Sequence, residues 1–131
     1  MTGRGLLDTS VVIDFLALPA ASLPDDGAIS TVTLAELSAG PHATSDPAER
    51  ALRQQRVAWA EGNFAPLPFD VAAARAFGRI YVGVLSAGRR PRGRSLDLQI
   101  AAVALANGLP LYTRNPDDFV GLNDLVQIVG V

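Results

Sequence analysis

In the stretch GLLDTSVVIDFL, Gly5 to Leu16, the apolar pair Leu6-Leu7 stops at Asp8, and two hydroxyls follow at Thr9 and Ser10. Apolar residues resume at Val11, Val12, Ile13, Phe15 and Leu16. Other acids punctuate apolar runs in the same way. Glu36 interrupts VTLAELSAG, Asp97 opens LDLQIAAVALANG after Ser95, and Asp117 and Asp118 follow LPLYTRNP. Carboxylates gathered in one place repel one another and raise each other's pKa values. A divalent cation removes that penalty, and carboxylate oxygens are hard ligands suited to Mg2+ or Mn2+. A cation held this way lowers the pKa of a water and stabilises charge developing at phosphorus, which is the chemistry of phosphodiester hydrolysis.

The remaining inventory offers little else. The chain has 131 residues and no cysteine, so disulfides, thiolate metal sites and cysteine nucleophiles are excluded. All 11 basic residues are arginine. Without lysine there is no Walker A lysine, no Schiff base, and no lysine of the kind that receiver domains and haloacid-dehalogenase-type phosphatases require. The single histidine, His42, lies in AGPHATSDP, and a metal site built on two histidines is impossible. The net charge of −2 argues against a uniformly basic nucleic-acid binder. The basic residues are uneven, however: RRPRGR carries Arg89, Arg90, Arg92 and Arg94 in one short loop.

The elements that must position these groups alternate between two periods. Leu6-Leu7 reads as a short buried strand and Thr9 to Leu18 as a helix, with Val11, Val12, Phe15 and Leu16 on one face. Ala28 to Thr31 is a second strand, and VTLAELSAG a short helix stopped by Gly40-Pro41. Asp46 caps a helix that runs to about Glu61, with Pro47 at its first position and Glu49 completing a capping box. APLPF is a strand weakened by its prolines. Asp70 caps VAAARAFGRIYVGVLSAG, the arginine loop follows, and Ser95 caps an apolar helix closed by Asn107-Gly108. LPLYT and LVQIVGV are the last strands. Strands alternating with helices predict one α/β domain over residues 1–131, a mostly parallel sheet with helices on both faces. In such sheets ligands sit beyond the carboxyl ends of the strands, where Asp8, Asp117 and Asp118 fall.

Each acid also has a purely structural reading. Asp8 can cap the first helix, and Asp97 suits the positive end of its helix. Asp46 and Asp70 read as caps alone. Asp14 reads as a surface residue or as one behind the ligands. Glu36, in an apolar helix, needs a partner wherever it is buried.

Taken together, LLDTSVVIDFL, ISTVTLAELSAG and RSLDLQIAAVALANGLPLYTRNPDDF resemble, in this order, a PIN domain of the VapC toxin type. The resemblance spans essentially the whole chain. It implies a Rossmann-like sandwich and a Mg2+- or Mn2+-dependent endoribonuclease. By motif, Asp8 matches the first acid, Glu36 the second and Asp97 the third. Asp8 and Asp97 would be the main direct ligands, with Glu36 completing the set or holding a water. Thr9 and Ser10 would support the ligands as donors, and Thr113 would be the hydroxyl near the last acid. Where the family often has a fourth acid, this chain has Asn115, whose uncharged amide oxygen can still orient a metal-bound water; Asp117 and Asp118 are the other candidates for that position. The resemblance also implies a VapB-type antitoxin, a homodimer and a higher assembly of toxin with antitoxin. Leu52, Val57, Trp59 and Phe64 are candidates for a partner groove, or else core.

Beside Asp97, the arginine loop becomes a candidate RNA contact through Arg89, Arg90, Arg92 and Arg94, joined by Arg114, since arginines on phosphates position a strand without reading it. The resemblance leaves the RNA target open. Two competing readings remain: a non-catalytic RNA- or protein-binding module on the same fold, and a phosphatase using Asp8 as nucleophile. The second is opposed by the missing lysine and by Ser10, where such enzymes carry a second aspartate. The early Asp8 argues against a signal peptide, and no apolar run is long enough to span a membrane, so the expected location is the cytoplasm.

Overall fold

Strands Arg4–Leu7 (β1), Asp26–Ser30 (β2), Pro66–Leu67 (β3), Leu111–Thr113 (β4) and Ile128–Gly130 (β5) form a five-stranded sheet in the order β3-β2-β1-β4-β5. Every pairing is parallel. The computed structural model describes residues 3–131. The crossovers are helices Thr9–Asp14 (α1), Thr31–Ala39 (α2), Pro47–Asn63 (α3), Val71–Ser86 (α4) and Ser95–Asn107 (α5). Leu6 and Leu7, both fully buried, point to opposite faces of the central strand as the period of two requires. Leu6 packs with Ala73 and Ile80 of α4 and with Leu98 and Ala101 of α5. Leu7 packs with Val11, Leu37, Ala60 and Phe64 from the α1, α2 and α3 side. Among the described residues no helix is long and apolar enough to cross a membrane.

The strand order places the site. The chain leaves β1 toward β2 and β3 on one side, while β4 and β5 add on the other. The carboxyl end of β1 is therefore where the order reverses, and crevices open at such points. Asp8 is the first residue beyond that end.

Several boundaries differ from the expected ones. The first helix is α-helical only to Asp14 and tightens into a 3-10 turn at Phe15–Ala17. Leu18 is held extended (φ −91°, ψ 145°), as a residue before proline must be. Thr31 belongs to α2 rather than to the strand, because Ser30 caps that helix by accepting from the Thr33 N–H. Ser95 does not cap α5 but is its first residue, and the Arg94 carbonyl receives the Leu98 N–H. The capping box at α3 is half made. Asp46 accepts from the Glu49 N–H, but the Glu49 carboxylate takes the Arg53 Nε–H at 2.9 Å. β5 is shorter than LVQIVGV, because the N–H groups of Leu125 and Val126 are spent on the Leu122 carbonyl.

Candidate active site

Asp8 is 5% exposed and held by three donors. Its Oδ1 accepts from the Thr9 N–H at 2.9 Å, so it does cap α1. Its Oδ2 accepts from Ser10 Oγ at 2.9 Å and from Thr113 Oγ1 at 2.8 Å. The β1–β4 register, with Leu7 opposite Tyr112, brings Thr113 beside Asp8. The Thr113 hydroxyl in turn accepts from the Asn115 N–H, and Ser10 Oγ accepts from the Arg114 N–H. Capping and placement in the crevice thus use the two oxygens of one carboxylate.

Glu36 projects from α2, the helix after β2. Thr9 Oγ1 donates to its Oε1 at 2.7 Å and lies 3.0 Å from the hydroxyl of Thr33. Ser30 and Thr33, both fully buried, complete this side. Neither was singled out from the sequence. The available signal was a Ser-x-x-Thr at a strand-to-helix junction, the pattern of a cap.

Asp97 lies in the first turn of α5. Burial pushes its carboxyl up to about 6; negative charge on Asp8, then Asp118, then Glu36 adds to the rise, and the Arg94 guanidinium opposes it. Four acids therefore act on one space. Glu36, Arg94, Ser95 and Asp97 line a cleft of about 390 Å³ there. Among the described residues, no three acidic or histidine side chains are already closed around one point. The donor set is nonetheless all oxygen and mutually repulsive, which fits a hard divalent cation. A larger cavity of about 730 Å³ lies along α4, lined by Arg75, Arg79, Val82 and Leu125, away from these acids. Charge and hydrogen bonding mark the site better than volume does.

At the expected fourth position, Asn115 is exposed. Asp118 is the acid in that segment that acts on Asp97. Asp117 is exposed and offers its backbone carbonyl to Arg89.

A family model for the PIN domain matches residues 5–123. The chain belongs to the PIN-domain family. Ribonuclease VapC5 of Mycobacterium tuberculosis is 40% identical over 131 residues, covering 95% of this chain and 91% of VapC5. The solved VapBC-5 structure from the same organism, a member of the VapBC family of toxin-antitoxin systems, superposes with a TM-score of 0.86 at 39% identity. It covers 98% of this chain and 99% of the other. VapBC2 of Rickettsia felis, solved with a DNA fragment from its promoter, shares the fold at a TM-score of 0.76 and 18% identity, over 98% of each chain.

On this PIN domain the arginines divide. Arg89 donates to the Asp117 carbonyl and Arg94 to the Asp118 carbonyl at 3.1 Å, so both tie the arginine loop to the segment after β4. Arg114 pairs with Asp14 at 3.7 Å. Arg90 and Arg92 are exposed. The candidate groove residues divide too. Trp59 and Phe64 stack with Phe15, all three ring pairs 5.3 to 5.6 Å apart, and Val57 packs against the same cluster. Leu52 is exposed and lines a groove of about 440 Å³ with Val12, Ile13, Leu16 and Trp59.

Proposed function

We propose that this chain, as one PIN domain over residues 1–131, is a divalent-cation-dependent endoribonuclease and the toxin of a toxin–antitoxin pair. The observation that carries the reading is Asp8, buried and triply hydrogen-bonded at the end of β1, with Glu36, Asp97 and Asp118 acting on the same space. Asp8 and Asp97 would hold the cation, with Glu36 and Asp118 completing the set, and Mg2+ or Mn2+ is the ion of choice for such oxygens. When bound, the cation lowers the pKa of water and offsets charge at the scissile phosphate. The residues of the chain do the rest. Thr113 and Ser10 hold Asp8, Thr9 holds Glu36, and Asn115 contributes a backbone N–H to Thr113. Arg90 and Arg92, with Arg89, Arg94 and Arg114 behind them, place the RNA by its phosphates.

A VapB-type antitoxin covers the groove between α1 and α3, where Ile13, Leu16 and Leu52 are exposed. The VapBC-5 likeness over nearly the full length supports that partner. α4 leaves Val71, Tyr81, Val82 and Leu85 exposed, a surface for a second copy of the chain in a homodimer, and from there for a higher assembly.

The test is cleavage of labelled total RNA by the chain freed of co-purified partner, in Mg2+, Mn2+ or EDTA, beside Asp8→Asn and Asp97→Asn. Discrete products that need the cation and vanish in both variants are expected. Folded, cation-loaded wild type that leaves RNA intact would favour a binding module instead, with the uncharged Asn115 as the first suspect.

A further inference from the structure

We propose that Thr33 is a positioning residue for Glu36, acting through Thr9; the inference rests on the function proposed above. The number of hydroxyl protons fixes the direction of each bond. An ionised Glu36 can only accept, so the single hydroxyl proton of Thr9 goes to Glu36 Oε1, 2.7 Å away. The 3.0 Å contact between Thr9 and Thr33 is then made by the Thr33 proton, with Thr9 Oγ1 accepting. Thr33 Oγ1 is left as an acceptor, and Ser30 Oγ, 3.4 Å away, has a proton to give. Ser30 Oγ itself accepts from the Thr33 N–H at 3.0 Å. Only one assignment satisfies all of these contacts: Ser30 to Thr33 to Thr9 to Glu36, every hydroxyl pointing toward the carboxylate.

The source of the chain is buried and its outlet is not. Ser30 and Thr33 are fully buried, while Thr9 and Glu36 are partly exposed; both line a cleft toward α3, and Glu36 also lines the cleft that holds Asp97. Buried hydroxyls lacking bulk water as a competing partner hold one orientation, and linked hydrogen bonds strengthen one another. Thr33 therefore prevents the Thr9 hydroxyl from rotating away, which keeps Glu36 Oε1 occupied by a neutral donor. Oε2 takes no hydrogen bond among the described residues and remains available to a ligand. Loss of a group that orients a ligand in this way typically lowers metal affinity by about tenfold to a hundredfold.

The test compares wild type, Thr33→Val and Thr33→Ser by melting temperature, by Mn2+ affinity from the resonance of free Mn2+, and by RNA cleavage kinetics. Thr33→Val is expected to fold, to bind Mn2+ about tenfold more weakly and to lose about tenfold in kcat with KM for RNA unchanged. Thr33→Ser, which restores the hydroxyl, is expected to return both values to within about twofold of wild type. If the valine variant fails to fold, Thr33→Ala removes the same hydroxyl without adding volume and carries the same expectation. Mn2+ affinity unchanged in the folded hydroxyl-less variant would overturn the inference, as would a serine variant that fails to rescue. Wild type that binds Mn2+ but cleaves no RNA would sink the proposed function, and the Mn2+ measurements would still decide the role of Thr33.

Discussion

Asp8 and Thr113 are separated by 105 positions in the chain and by 2.8 Å in space. The threonine is fully buried, and its hydroxyl joins the acid at the end of β1 to the residue that ends β4. It also receives the Asn115 N–H, so one hydroxyl sets both the Asp8 rotamer and the path of the following turn.

Thr113→Val should therefore act on stability and on activity together. It leaves the Asn115 N–H without its acceptor and Asp8 Oδ2 with one donor fewer, a loss of about 1–3 kcal/mol. Urea unfolding would read the stability. Cleavage of RNA should fall by about tenfold, the usual scale for a group that orients a ligand. Full activity in Thr113→Val would place the hydroxyl outside the working site.

Asp8→Asn keeps the volume and one acceptor oxygen while removing the charge. It should fold, since the Thr9 N–H still finds an oxygen. Cleavage should fall at least about a hundredfold, because charge stabilisation of this kind is worth several kcal/mol and each 1.4 kcal/mol is tenfold in rate. Mn2+ titration should show the accompanying loss of affinity.

The pH dependence follows from Asp97. Its carboxyl titrates at about 6 in the folded chain against 3.8 as an unperturbed group. The folded state then holds the proton more tightly, so in EDTA stability falls as pH rises from about 4 to about 6 and stays reduced above that. The contribution is on the order of 1 kcal/mol once solvent screening at a half-exposed position is allowed for. Asp97→Asn should match wild type at about pH 4 and exceed it in melting temperature at about pH 7, the difference opening across that window. Added Mn2+ should raise the melting temperature of wild type and leave Asp97→Asn nearly unmoved. A melting-temperature difference that is flat with pH would contradict the shift.

Arg90→Ala and Arg92→Ala should weaken RNA binding without altering fold, since both side chains are exposed. Each lost phosphate contact should lower the slope of log affinity against log salt by about 0.7. Arg89→Ala and Arg94→Ala should differ. They untie the loop from Asp117 and Asp118, so binding and local order should fall together, as hydrogen exchange in that segment would report. Equal effects from all four would mean that the two tethers are dispensable.

What the residue types settle is chemistry. A chain with no cysteine, no lysine and one histidine is left with carboxylates, hydroxyls, amides and arginine for its chemistry, and that conclusion needs no coordinates. The alternation of strand and helix signals settles the class of fold, because period two and period 3.6 are local properties of the chain. The three motif stretches point to the family, and the match over residues 5–123 agrees with them.

What only the tertiary structure decides is adjacency. Asp8 and Thr113 meet because β1 and β4 pair in one register, and no local signal encodes a pairing between strands so far apart. Asp118, rather than Asp117 or Asn115, acts on Asp97 because of how the turn after β4 folds back. Ser30 and Thr33 read along the chain as an ordinary cap, and their link to Glu36 exists only because α1 lays Thr9 between them. Five arginines look alike in the sequence, yet backbone carbonyls and two aspartates, Asp14 and Asp118, engage three of them, leaving Arg90 and Arg92 exposed. Ligand type is a property of side chains and is written residue by residue, whereas hydrogen-bond partnership depends on ångström distances that only the packed sheet and its helices set.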